Sequence, residues 1–157
     1  MKKFLALLLC AAMLTTFACA EGADVFTSAS TTNYYGMIEG DELMNALNSY
    51  TGFYLICTTN PDGTANGAFF IYGCVKCEDK YYLQLGLAPN QSTQNLAADG
   101  RGTAIYAANP TDKEYATNGA RMTFKVVTDE ATLAKLAEAG ANTTAIMAEI
   151  LEVRPLG

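Results

Sequence analysis

Few side chains in this 157-residue chain are of a type and spacing that could do chemistry. In residues 88–101, APNQSTQNLAADGR, the polar run Gln91, Ser92, Thr93 and Gln94 stands directly before Asn95-Leu96 and a short helix. Hydroxyls, amides and the N–H groups of a helix N-terminus form a donor set for an anion such as phosphate, because the helix dipole favours negative charge there. The same residues also suit a plainer role. Ser92 is a candidate N-cap, worth about 1 kcal/mol without any ligand, and Asn95 suits backbone satisfaction equally well.

The second candidate is CVKC, Cys74 to Cys77, which has redox spacing. Reactive pairs of this kind usually open a helix, whose N-terminus lowers the thiol pKa. This one ends a strand-like run, where three steps of about 3.3 Å carry the Cα atoms beyond disulfide reach unless the chain bends at Cys77. Cys57, Cys74 and Cys77 are therefore expected as buried or half-buried thiols, with a redox pair or a structural bridge as the alternatives. The chain has no histidine, so it lacks the usual general base of triad hydrolases and cannot complete a zinc site from three cysteines. Its acids lie singly in turns and helix starts, so no paired-carboxylate machinery and no catalytic residue can be named.

The elements that must position these residues come from one domain's worth of chain. Residues 1–20 read as an export signal: Lys2-Lys3, the uncharged FLALLLCAAML, then Ala18-Cys19-Ala20 with cleavage after Ala20. Cys19 raises lipid attachment as an alternative, although Thr16 and Phe17 are poor residues for the start of that motif. Residues 21–33 form a flexible leader, small and polar without period, and residues 34–157 form the domain. Removing Lys2 and Lys3 leaves 8 basic against 16 acidic residues, a formal charge of −8. That balance argues against nucleic acid as a partner, and the remaining chain has no apolar run long enough to span a bilayer.

Within the domain, GDELMNALNSY (40–50) predicts a short helix with Leu43, Met44 and Leu47 on one face, closed by Thr51-Gly52. FYLICTTN (53–60), a Pro-Asp-Gly turn and NGAFFIYGCVKC (66–77) predict a hairpin of two strands. YYLQLGL (81–87) is a third strand, and RGTAIYAA (101–108) resumes the sheet after the short helix STQNLAADG. A turn-rich link over 109–119 leads to RMTFKVVT (121–128), with Met122, Phe124 and Val126 alternating against Arg121, Thr123 and Lys125. DEATLAKLAEAG (129–140) is a helix with Leu133, Leu136 and Ala137 on its apolar face, stopped by Gly140. AIMAEILEVRPL (145–156) reads as a last strand, with a helix up to Glu152 as the alternative. Strands apolar on consecutive residues favour closure into a barrel whose outside is also covered, by a helix or by a second copy of the chain.

In that order the segment 55–108 resembles the pyridoxamine 5′-phosphate oxidase-like family, the FMN-binding split barrels. The residues that carry the resemblance are CTTNPDGTANGAFF, KYYLQLGL and NQSTQNLAADGRGTAIY, with NGARMTFKVVTDEA similar to a later strand and helix. The resemblance implies a mainly β fold with short helices, a six-stranded Greek-key split β-barrel, as a homodimer with FMN at the subunit interface. It assigns Ala68, Phe69 and Phe70 to the flavin ring, and it brings Leu85 and Gly86 close to it. Asn90, Gln91, Ser92, Thr93 and Asn95 would grip the phosphate. An FMN-dependent reductase or oxidase of unassigned substrate is one activity it implies; the alternative is a non-enzymatic module that holds haem or another ligand, or none. Where many members carry arginine or lysine in the phosphate loop this chain has Gln91 and Ser92, which leaves Arg101, or less directly Arg121, to supply a positive charge.

Overall fold

A computed structural model of the chain describes residues 36–108 and 118–156. The expected export signal and leader, and most of the turn-rich link, lie outside the described residues. The described residues form eight strands: β1 (Gly36–Met37), β2 (Phe53–Thr59), β3 (Ala65–Phe69), β4 (Gly73–Cys77), β5 (Lys80–Leu85), β6 (Arg101–Ala107), β7 (Asn118–Val126) and β8 (Ile146–Arg154). Three helices accompany them: α1 (Gly40–Asn48), α2 (Gln91–Asp99) and α3 (Glu130–Glu138).

The strands form one sheet in the order β3-β2-β6-β7-β8-β5-β4, antiparallel throughout, with the two-residue β1 added parallel to β7. Its end strands, β3 and β4, are consecutive in the chain and joined by Phe70–Tyr72 alone. The sheet therefore rolls into a barrel with a seam and does not close. Residues 145–156 settle as a strand, with Leu151 as the extra residue of a bulge: Thr123 faces Glu152 while the next residue, Phe124, faces Ile150.

The single strand expected over 66–77 is broken in two, and β1 is an additional short strand. The break follows from Tyr72. Phe70 N–H makes the last bond to β2, at Tyr54 O (3.2 Å), after which the Tyr72 ring turns into the core. There it packs edge-on to Tyr54 with ring centroids 5.1 Å apart, and its hydroxyl donates to Ile105 O at 2.8 Å. The chain is thus carried from the edge of β2 to the edge of β5.

The inner face of the sheet holds the main core, in which Ile56, Leu83, Leu85, Met122 and Phe124 meet Leu43 and Leu47 of α1. Tyr54 secures the helix by donating its hydroxyl to Leu47 O (2.9 Å). A smaller core lies on the outer face of β4, β5 and β8, where fully buried Leu136 of α3 packs on Tyr82 and Met147. Ala137, expected on the apolar face of that helix, is exposed. Asp129 caps α3 by accepting from Thr132 N–H at 2.8 Å.

Candidate functional site

The polar run at 91–95 forms the first turn and a half of α2, as its residue types require, but its cap is Asn90. The Asn90 backbone is extended (φ −157°) and its Oδ1 accepts from Thr93 N–H at 3.0 Å. Ser92, the expected N-cap, is instead buried and faces β3, where it accepts from Asn66 Nδ2 at 2.9 Å. Thr93 Oγ1 donates to Ala88 O at 2.8 Å and so ties the helix to the loop that enters it.

Asn95 is 3 % exposed and spends both ends of its amide internally. Nδ2 donates to Thr58 Oγ1 (3.0 Å) and Asn60 Oδ1 (2.9 Å), while Oδ1 accepts from Gln91 Nε2 (2.8 Å). Asn66 Nδ2 also donates to Thr58 Oγ1, at 3.1 Å. Thr58, Asn60, Asn66, Gln91, Ser92 and Asn95 thus form a neutral network that clamps α2 onto the β2–β3 hairpin. Sequence reasoning missed the first three. The available signal was Thr58 itself, a hydroxyl at the inward position that follows Tyr54 and Ile56, and a buried polar group needs a partner.

Arg101 opens β6 just past the Gly100 cap of α2, so a nine-residue helix, roughly 13 Å long, separates it from the Asn90 end. It faces outward beside its register partner Lys125. Arg121 lies on the same outer face, opposite Ile105, and its Nε donates to Pro155 O at 2.8 Å. Lys76, Lys80, Lys135 and Arg154 are each paired with a carboxylate, so among the described residues no cation is brought to the first turn of α2.

The residues assigned to a ring separate by the pleat. Phe69 points outward and is 75 % exposed, while Ala68, opposite Ile56, and Phe70 are half-buried. Leu85 is wholly inside the core, so only its backbone can reach a ligand; Gly86 is exposed. Around Phe69 lie Phe53 (56 % exposed) and Ile71 (63 %), with half-buried Leu55 between Phe69 and Ile105. This bare apolar face spans β2, β3 and β6.

Where it meets the seam there is a pocket of about 270 Å³. Ile71, Tyr72 and Gly73 form one side of it, Gln84 and Gly86 another, and Tyr50 and Asn142 stand at the rim. Gln84 Oε1 accepts from Asn142 N–H at 2.8 Å, and no lining residue is charged. Gly86 leads within four residues to Asn90, at most about 14 Å of extended chain, so the seam pocket and the first turn of α2 lie at the two ends of one short loop. A larger cleft of about 410 Å³ lies elsewhere, between α1 and the β8 bulge, and contains none of the expected site residues.

All three cysteines of the described residues are free thiols. Burial raises the Cys57 thiol and pushes Cys74 up to about 12, the opposite of a reactive thiolate. The described residues contain no group of three or more His, Cys, Asp or Glu placed to hold a metal ion.

No family profile and no curated protein matches the chain. Solved structures do. A crystal structure of an FMN-binding protein from Syntrophomonas wolfei matches with TM-score 0.54 and 14 % identity, over 74 % of this chain and 85 % of that one. The conserved hypothetical protein Rv2991 from Mycobacterium tuberculosis matches with TM-score 0.49 and 14 % identity, over 80 % and 88 %. A heme binding protein from Mycobacterium smegmatis matches with TM-score 0.42 and 17 % identity, over 74 % of this chain and 52 % of that one. At these identities the likeness shows architecture alone, and together with the seam between β3 and β4 it gives the conclusion that the chain has a split-barrel-like β fold.

Proposed function

We propose that this chain is an exported flavin-binding split barrel, a homodimer that holds FMN between the seam pocket and the first turn of α2. The observation that carries the reading is the adjacency of an uncharged pocket, an exposed aromatic and aliphatic face and a capped helix N-terminus along one stretch of chain, 66–95. Phe69, Ile71 and Gly86 would meet the ring. Asn90, Gln91 and the N–H groups of the first turn of α2 would meet the phosphate, with Ser92, Thr93 and Asn95 fixing that turn. A bound flavin supplies hydride and electron transfer, and the protein's part is orientation and exclusion of water.

The residues fit the two ends of the cofactor unequally. The ring end is built from apolar and amide groups, whereas the phosphate end offers neutral donors whose side chains are largely engaged in the network. The phosphate should therefore contribute little to affinity. In titrations followed by flavin fluorescence, FMN is expected to bind the purified protein less than about tenfold more tightly than riboflavin. A preference of about a thousandfold would show that a cation reaches the phosphate and would overturn this account of the site, and no binding of either flavin would overturn the flavin reading altogether. Haem is the second reading for this fold, and the absence of histidine counts against it, since the axial ligand would have to be Cys, Met or Tyr.

A further inference from the structure

The turn that ends α1 places a bulky side chain at the left-handed position after the helix cap, where its N–H bonds Leu47 O at 3.3 Å and where a glycine would do the same at lower cost. Tyr50 has φ +54°, the left-handed region where a bulky aromatic is an outlier and glycine or asparagine is the usual choice. Its ring contributes little to packing, being 59 % exposed. The turn cannot relax. On one side the Asn48 amide pairs with both backbone groups of Cys74, at 2.8 Å each, as a neighbouring strand would. On the other side Gly52 has φ +105°, and a Cβ there would come within 2.5 Å of Ala107 O. Ser49 Oγ ties Thr51 to the end of α1 by donating to Ala46 O and accepting from Thr51 Oγ1, both at 2.7 Å.

This frame delivers the Tyr50 ring to the rim of the seam pocket. Its hydroxyl lies 3.3 Å from the point where a Cβ on Gly73 would stand, with Gln84 Nε2 3.4 Å from the same point. Gly73 thus keeps the floor open between the Tyr50 hydroxyl and the Gln84 amide, beside Asn48 Oδ1 at 3.1 Å. Strain that persists in a fixed frame, at a concave site and with little burial in return, marks a functional residue. We propose that Tyr50 is the specificity-determining residue of the seam pocket: its ring stacks on the planar heteroaromatic ring of the ligand, whose polar edge is read by Gln84. The proposal rests on the flavin reading and deepens it by naming the residue that selects for a ring.

The test compares wild type with Tyr50→Gly and Tyr50→Phe in FMN affinity, fluorescence of the bound flavin and melting temperature without ligand. Glycine relieves the left-handed strain, so Tyr50→Gly is expected to melt at or above the wild-type temperature yet bind FMN about tenfold more weakly, with brighter residual fluorescence because a stacked phenol quenches flavin. Tyr50→Phe is expected to keep the affinity within about threefold. Wild-type affinity and quenching in Tyr50→Gly would overturn the proposal and leave flavin binding intact. A lower melting temperature in Tyr50→Gly with unchanged binding would also overturn it, by assigning the ring to the turn. Failure of the wild type to bind either FMN or riboflavin would overturn the underlying reading and the proposal with it.

Discussion

The two halves of the sheet carry the same inward alternation but differ on the outside. Over β4, β5 and β8 the outer side chains Val75, Cys77, Tyr82 and Met147 are covered by Leu133 and Leu136 of α3, eight to sixteen residues before β8 begins in the same chain. Over β2, β3 and β6 the corresponding side chains are Phe53, Leu55, Phe69, Ile71 and Ile105, and no described helix lies on them. Among the described residues the chain therefore covers one half by itself and leaves the other bare. A second copy of the chain is the proposed cover, and the seam pocket, the proposed ligand site, opens beside the uncovered half.

Breaking the uncovered half should have the largest effect. In Phe69→Asp with Ile71→Asp, two exposed apolar residues become charges, so the dimer is expected to weaken on the order of 100-fold, as loss of central apolar contacts generally does. The fold of each chain should stay within about 0.5 kcal/mol, because neither side chain is buried in it. Sedimentation with and without the changes, beside chemical denaturation of the monomer, measures both. A wild-type chain that sediments as a monomer at high concentration would remove the proposed difference between the halves. The matching change in the covered half is Leu136→Ala, which empties a fully buried site and should lower stability by about 2–4 kcal/mol without altering association.

Within the uncovered half, where the first turn of α2 meets the β2–β3 hairpin, lies the polar network. Asn95→Ala would take from Asn60 Oδ1 its donor and from Gln91 Nε2 its acceptor, leaving Thr58 Oγ1 with Asn66 alone, and should destabilise the fold by about 1–3 kcal/mol. Its flavin affinity, if measured at a temperature where the variant is folded, should fall little, since Asn95 holds the helix and faces no ligand. A loss of binding as large as that of an Asn90 variant would move Asn95 into the phosphate site.

The sequence made the strands legible wherever one residue in two faces water. Met122, Phe124 and Val126 alternate so regularly that β7 could be drawn from the sequence, and the acids and leucines of 129–140 likewise placed α3. The run FFIYGC was not legible, because Phe69 to Tyr72 are all apolar and the inward turn of Tyr72 depends on Tyr54 and Ile105, both far away in the chain. The candidate site divides in the same way. Its local half, the helix after Asn90, is written in adjacent residues. Its other half is made by contacts 26 to 37 residues apart, among them Asn66 to Ser92 and Asn95 to Thr58, and spacing carries no trace of those. Tyr50 escaped notice for a related reason: its backbone angle is imposed by Asn48 bonding across to Cys74.

The smallest effect is confined to alkaline pH and compares the interiors of the two halves. Beneath the uncovered half lie Tyr54, pushed up to about 12, and Tyr72 and Tyr106, also raised, in each case chiefly by burial of the phenol. Inside the covered half, burial pushes the Cys74 thiol up to about 12. In an unfolded chain tyrosine titrates near 10 and cysteine near 8.5. Each raised group keeps its proton in the folded state after the unfolded chain has released it. Its stabilisation is therefore complete below the unfolded pKa and is lost as the pH climbs toward the folded one. Melting temperature should hold steady to about pH 8.5, decline first as the thiol titrates in the unfolded chain, and fall more steeply above about pH 10. Cys74→Ala should lessen the first part of the decline and leave the share of Cys57, whose thiol burial also raises. Tyr72→Phe should start about 1 kcal/mol less stable at pH 7, having lost the bond to Ile105 O, yet lose less between pH 10 and 12. If the Tyr72→Phe curve instead runs parallel to wild type, that phenol is open to solvent, and the uncovered half is loosely packed inside as well as bare outside.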